Sequence, residues 1–145
     1  MNKYATTLLS IAALSLAQAA LASDPTPRDL HAAQCVAALE VLTEGLAQDV
    51  KSGKEESRPV LLERLVSGTA FVGDAYLHGN SDEKQARDLA DKALEAQKSL
   101  PPRELAARQA ACADEGAKIF ASSNGLEQVV VTRLAKKRMA KLLGA

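Results

Sequence analysis

Two cysteines constrain this chain more than any other feature. Cys35 and Cys112 stand 77 positions apart, and each falls on the apolar face of a predicted helix. In the segment 27–51, Cys35, Leu39, Leu42, Leu46 and Val50 project to one side at 100° per residue. Leu30, Ala33, Ala37 and Val41 make a second strip, and only Glu40, Glu44, Gln48 and Lys51 form a clear water-facing arc. A helix that is apolar on two sides is expected to lie between neighbours. A Cys35–Cys112 bond would pin the fourth predicted helix to this first one. Closing so long a loop restricts the unfolded chain by about 4–5 kcal/mol in the chain-entropy view. The competing uses of two cysteines fit less well. Redox couples favour closely spaced pairs such as Cys-x-x-Cys, which the chain lacks. A zinc site would need His31, His78 or both, and His31-x-x-x-Cys35 is only the spacing of one helical turn. The expectation is a structural disulfide with no metal and no cofactor.

Four further amphipathic segments follow, and none of the intervening sequence reads as a strand. Residues 54–57 form a charged link with Ser57 as N-cap, and Pro59 is tolerated in the next turn. The second helix, 58–78, places Leu61, Leu65, Gly68, Val72 and Tyr76 on its apolar side. Gly68 and Gly73 each cost about 1 kcal/mol of helix propensity, which suggests that a neighbouring backbone comes close there. Gly79-Asn80 makes a turn, and Asn80 with Glu83 has capping-box spacing for a third helix over 81–99. Pro101-Pro102 separates it from a fourth over 102–121, which gathers Leu105, Cys112, Ala113, Gly116, Ile119 and Phe120. Asn124 and Glu127 repeat the capping-box spacing before a fifth helix, 126–143, lined by Val131, Ala135, Met139 and Leu142. The fold class is all-α, a bundle of about five helices.

The first 22 residues read as a secretory signal: Lys3, an apolar run over 5–17, and Ala20-Leu21-Ala22 before the expected new N-terminus at Ser23. The run is shorter than the roughly 20 apolar residues a bilayer span requires. Removal leaves residues 23–145, enough for one domain and destined for a periplasmic or extracellular space. Eighteen basic and 18 acidic side chains balance, and aromatics make up only 3% of the chain with no Trp. Bulk electrostatic binding of nucleic acid and base stacking on aromatic faces are therefore disfavoured.

Three surface features invite a functional reading. Glu63, Ser67, Asp74 and His78 project within about 60° on the second helix. Asp74 one turn from His78 is how a general base is built, but Ser67 lies roughly 16 Å along the axis from His78, too far to act as its nucleophile. A solvated face or contact rim is the plainer reading. The fifth helix carries Arg133, Lys136, Lys137, Arg138 and Lys141, so residues 119–145 hold 5 basic and 1 acidic side chains, a balance of +4. Such a helix suits an anionic surface, although its cations also complement the helix dipole and spread over about 200°. Finally, Gly73 to Tyr76, a turn, then Ala86, Leu89 and Ala93 resembles a tetratricopeptide or Sel1-type helical hairpin over about 34 residues.

No motif carries catalysis. The expected function is a small exported, non-enzymatic helical protein that binds a protein partner, as an inhibitor or an envelope assembly factor. In build alone it resembles the periplasmic immunity proteins that block cell-wall-degrading type VI effectors. The alternatives are weak contact with an anionic envelope surface through the basic helix, a helical-hairpin scaffold, and a hydrolase using Asp74 and His78.

Overall fold

In the computed structural model, which describes residues 24–79 and 82–144, the chain forms α1 (Pro27–Lys51), α2 (Ser57–His78), α3 (Glu83–Lys98), α4 (Pro102–Ser122) and α5 (Gly125–Leu143). No strand occurs among the described residues, and none of their helices is long and apolar enough to cross a membrane. The leader and Ser23 lie outside the described residues.

α1 starts on a capping box. The Thr26 hydroxyl accepts the Asp29 backbone N–H at 3.2 Å, and the Asp29 carboxylate accepts the Thr26 N–H at 2.9 Å. Its two-sided apolar pattern has the expected result: α1 packs against each of the other four helices. Cys35, Ala37, Ala38, Leu39, Ala47 and Val50 are all buried, whereas Leu30, at the outer end of the second strip, is exposed. Gly53 ends the following turn at φ +98°, a left-handed geometry that suits a residue without Cβ.

The Cys35–Cys112 disulfide joins α1 to α4 with the two Cα atoms 5.2 Å apart. The helices run antiparallel there, since His31 meets Glu115 and the Gln109 amide donates to the Ala38 carbonyl at 3.2 Å. Around the disulfide, Ala32, Leu39, Phe71 and Ala113 form one core cluster. A second, built from Ala47, Val50, Leu61, Leu65 and Ala135, holds the other end of α1 and α2 against α5.

This change of neighbour rotates the buried arc of α2 along its length. Leu61 and Leu65 are buried as expected, but Val72 and Tyr76 are exposed, and Ser67, Ala70 and Phe71 take the interior instead. Other expectations also shift. Ser57 is the first residue of α2 rather than its cap; Glu56 stands at the cap position without a capping side chain. In that link the Arg58 guanidinium hydrogen-bonds the Glu55 carboxyl and holds it below its ordinary pKa. Asn80 and Ser81 lie outside the described residues, and the cap of α3 is Asp82, whose carboxylate accepts the Gln85 N–H at 2.7 Å. The Asn124–Glu127 capping box is present as expected.

The glycine expectation fails at both named positions. A Cβ on Gly73 would meet nothing within 4 Å, and one on Gly68 would make ordinary contact with Leu39. The close approach is at Gly116, where α4 crosses α2. The tetratricopeptide-like hairpin is not formed either: α3 packs on α1 and not back on α2. Thr69 stands where the repeat motif expects a large residue, and the buried side chains of α3, Ala93 and Gln97, belong to a helix that packs on α1 instead.

Candidate functional site

With Phe71 buried, α2 leaves other large apolar side chains of its C-terminal half exposed beside α5. Val72, Tyr76 and Leu77 project from the C-terminal half of α2, and Leu126, Val129, Val130 and Leu134 from the first half of α5. These are seven of the nine exposed large apolar side chains among the described residues; six of them stand around two grooves, and Val129 turns away from those toward Phe120 and Lys136. Tyr76 is 88% exposed and Leu126 75%.

Between the two helices lies a groove of about 370 Å³, floored by Ala70, Ile119 and Val131 and walled by Tyr76, Leu77, Leu126 and Val130. Asp74, His78 and Glu127 line it as well. A second groove, of about 320 Å³, continues the face where Val72 and Leu134 meet Arg64 and Arg138.

The four residues expected as one polar strip on α2 separate. Glu63 is exposed and pairs with its neighbour Arg64 at 3.2 Å. Ser67 is buried and donates its hydroxyl to the Ala113 carbonyl at 3.1 Å, so it belongs to the α2–α4 contact and not to the surface. Only Asp74 and His78 stay together, at 3.1 Å. Asp74 has a second partner that the sequence did not bring out: the Arg28 guanidinium of α1 donates to its carboxylate at 2.6 Å. The carboxylate therefore ties α1 to α2 while orienting His78.

Three hydroxyl side chains share the groove with His78: Tyr76, Ser122 and Ser123. Ser122 and Ser123 line or adjoin it, but both hydroxyls donate to the Ile119 carbonyl at 2.9 Å. Both cysteines are in the disulfide.

The basic helix also divides. Arg138 donates to Glu40 of α1 at 2.9 Å and serves as a helix-to-helix link. Arg133, Lys136, Lys137 and Lys141 are exposed and form no ion pair among the described residues. They extend the apolar face of α5 with positive charge toward its C-terminus.

A separate polar corner sits beside the disulfide. His31 Nε2 lies 2.8 Å from a Glu115 carboxylate oxygen and 3.9 Å from Cys35 Sγ, and the imidazole stands edge-on to the Phe71 ring at 6.3 Å. The spacing His31-x-x-x-Cys35 pointed to part of this corner. Glu115 gave no signal, since its place depends on how α4 meets α1.

Comparison with protein-family models, with curated proteins and with solved structures gives no match, so a function for this chain has to be argued from its own surface.

Proposed function

We propose that the protein is a non-enzymatic binder that holds a protein partner on the apolar face of α2 and α5. An apolar ridge of the partner would seat in the groove between Tyr76, Leu77, Leu126 and Val130. The observation that carries this reading is that six of the nine exposed large apolar side chains among the described residues stand around the two grooves beside α2 and α5. Each such side chain taken fully from water contributes about 1.5–3 kcal/mol, so a handful offsets a substantial part of the cost of association. A protein suits the groove better than a lipid surface. The groove is concave, and Asp74 and Glu127 in its lining would repel anionic headgroups. The basic end of α5 favours acidic residues on the partner's rim.

An exported inhibitor or envelope assembly factor fits this reading. The leader-like first 22 residues and the disulfide support an oxidising destination. Hydrolysis by Asp74 and His78 is the weaker reading, because the two serine hydroxyls beside them, Ser122 and Ser123, already donate to a backbone carbonyl and the Asp74 carboxylate is shared with Arg28.

Photo-crosslinking tests the proposal. The full chain is expressed with its own leader in an exporting host, with a benzophenone amino acid replacing Tyr76, Val130 or, as a control, Lys92 on the polar side of α3. One discrete protein adduct from positions 76 and 130, absent from 92 and lost when Leu126→Asp is added, is expected. Adducts only to lipid, only to a second copy of the chain, or none at all would sink it.

A further inference from the structure

We infer that opening the Cys35–Cys112 bond turns His31, Cys35, Cys112 and Glu115 into a four-ligand site for a borderline-soft divalent cation, with Zn²⁺ the fitting ion. Disulfide and metal would then be alternative closures of the same pair of helices.

The backbone supplies the ligand layout. His31 and Cys35 are one turn apart on α1, and Cys112 and Glu115 one turn apart on α4, so each antiparallel helix turns two donors toward the other. The donor atoms of His31, Cys35 and Glu115 all lie within 4.8 Å of one another, and the fourth, Cys112 Sγ, is bonded to Cys35. Zn–S bonds of about 2.3 Å and Zn–N or Zn–O bonds of about 2.0–2.2 Å put tetrahedral ligand atoms roughly 3.3–3.8 Å apart. The 3.9 Å between His31 Nε2 and Cys35 Sγ is already close to that spacing. The 2.8 Å between His31 and Glu115 has to widen by only about half an ångström to admit an ion in place of their hydrogen bond. Two thiolates, an imidazole and a carboxylate form a donor set that zinc accepts and that hard cations such as Mg²⁺ do not favour.

Access also fits. The sulfurs are buried, whereas His31 and Glu115 stand half in solvent, so a cation would enter from their side and seat on the thiolates behind. The exposed His–Glu pair is then more than a second staple. It closes the mouth of a site whose floor is the disulfide.

The chemistry balances with a dithiol as reductant. Its thiolate attacks one sulfur of Cys35–Cys112 and forms a mixed disulfide; its second thiol resolves that bond. The dithiol leaves as a disulfide, having supplied two electrons, and two cysteine thiols remain. Binding of Zn²⁺ releases their two protons to solvent. Reoxidation by a protein disulfide reverses the sequence and expels the ion.

The test refolds the protein with tris(carboxyethyl)phosphine present and titrates Co²⁺ as a spectroscopic stand-in for Zn²⁺. One equivalent should produce the intense visible bands of a tetrahedral cobalt–thiolate site, and Zn²⁺ should displace it. The oxidised protein should show no such bands. His31→Ala and Glu115→Gln should each weaken binding more than tenfold. If the reduced chain is helical but produces no bands, or if both variants bind like the parent, the inference fails. Should the reduced chain lose its helices, circular dichroism decides: Zn²⁺ must restore them in the parent and not in His31→Ala, and no restoration also overturns it.

Discussion

Ser67 and Gly116 face each other where α2 crosses α4, so closely that a Cβ at position 116 would lie 2.6 Å from the Ser67 carbonyl oxygen. The obstacle is backbone, which cannot rotate aside as a flexible side chain would. The Ser67 hydroxyl meanwhile donates to the Ala113 carbonyl one turn earlier on α4.

Gly116→Ala should therefore destabilise the protein by about 1–3 kcal/mol, the usual cost of overpacking. Gly73→Ala should stabilise it by up to about 1 kcal/mol, because that position is open and alanine is the better helix former. Urea unfolding of both variants decides, and equal effects would mean that the helices cross elsewhere.

Phe71 and Tyr76 divide α2 in the same way. Phe71→Ala should cost about 3–5 kcal/mol, since the ring is 2% exposed and packs in the cluster around the disulfide. Tyr76→Ala should stay within about 0.5 kcal/mol. It should nonetheless abolish partner capture, a separation of stability from binding that thermal melts and the crosslinking experiment read together.

Gln97 on α3 is fully buried, and neither amide atom has a hydrogen-bond partner among the described residues. Burying an amide without partners costs about 1–3 kcal/mol. Gln97→Met keeps much of the side-chain volume without those polar atoms. It should raise stability by about 1 kcal/mol or more, seen as a higher denaturant midpoint at unchanged slope.

Asn124→Ala removes the side chain that accepts the Glu127 N–H at 3.0 Å and opens the capping box of α5. A loss of about 1 kcal/mol is expected. Asn124→Asp should retain most of that stability, because the carboxylate accepts the same bond and suits the helix N-terminus.

The sequence announced the helices because periodicity and caps are local. The bounds of α1, the Asn124–Glu127 box and the pairing of two cysteines in an all-helical chain were all readable. What was not readable is where each helix changes neighbour. α2 carries apolar residues around much of its circumference, and a single projected stripe picks Val72 and Tyr76 over Phe71, because nothing local says that α5 covers one end and α4 the other. The warning sign was that surplus: α2 holds more large apolar residues than one face can bury. The polar strip dissolved for the same reason, with Ser67 turning inward at Gly116. Arg28 and Glu115, which complete the Asp74 and His31 clusters, sit on other helices, and only tertiary packing brings them in.

α3 has its substantial packing on α1 alone, and the disulfide secures a different pair of helices. It can peel away on its tethers while the rest of the bundle stays folded, a partial opening far cheaper than global unfolding. Native-state hydrogen exchange should find its amides the least protected of the five helices. A protease given time should cut there first, leaving two fragments still joined through sulfur.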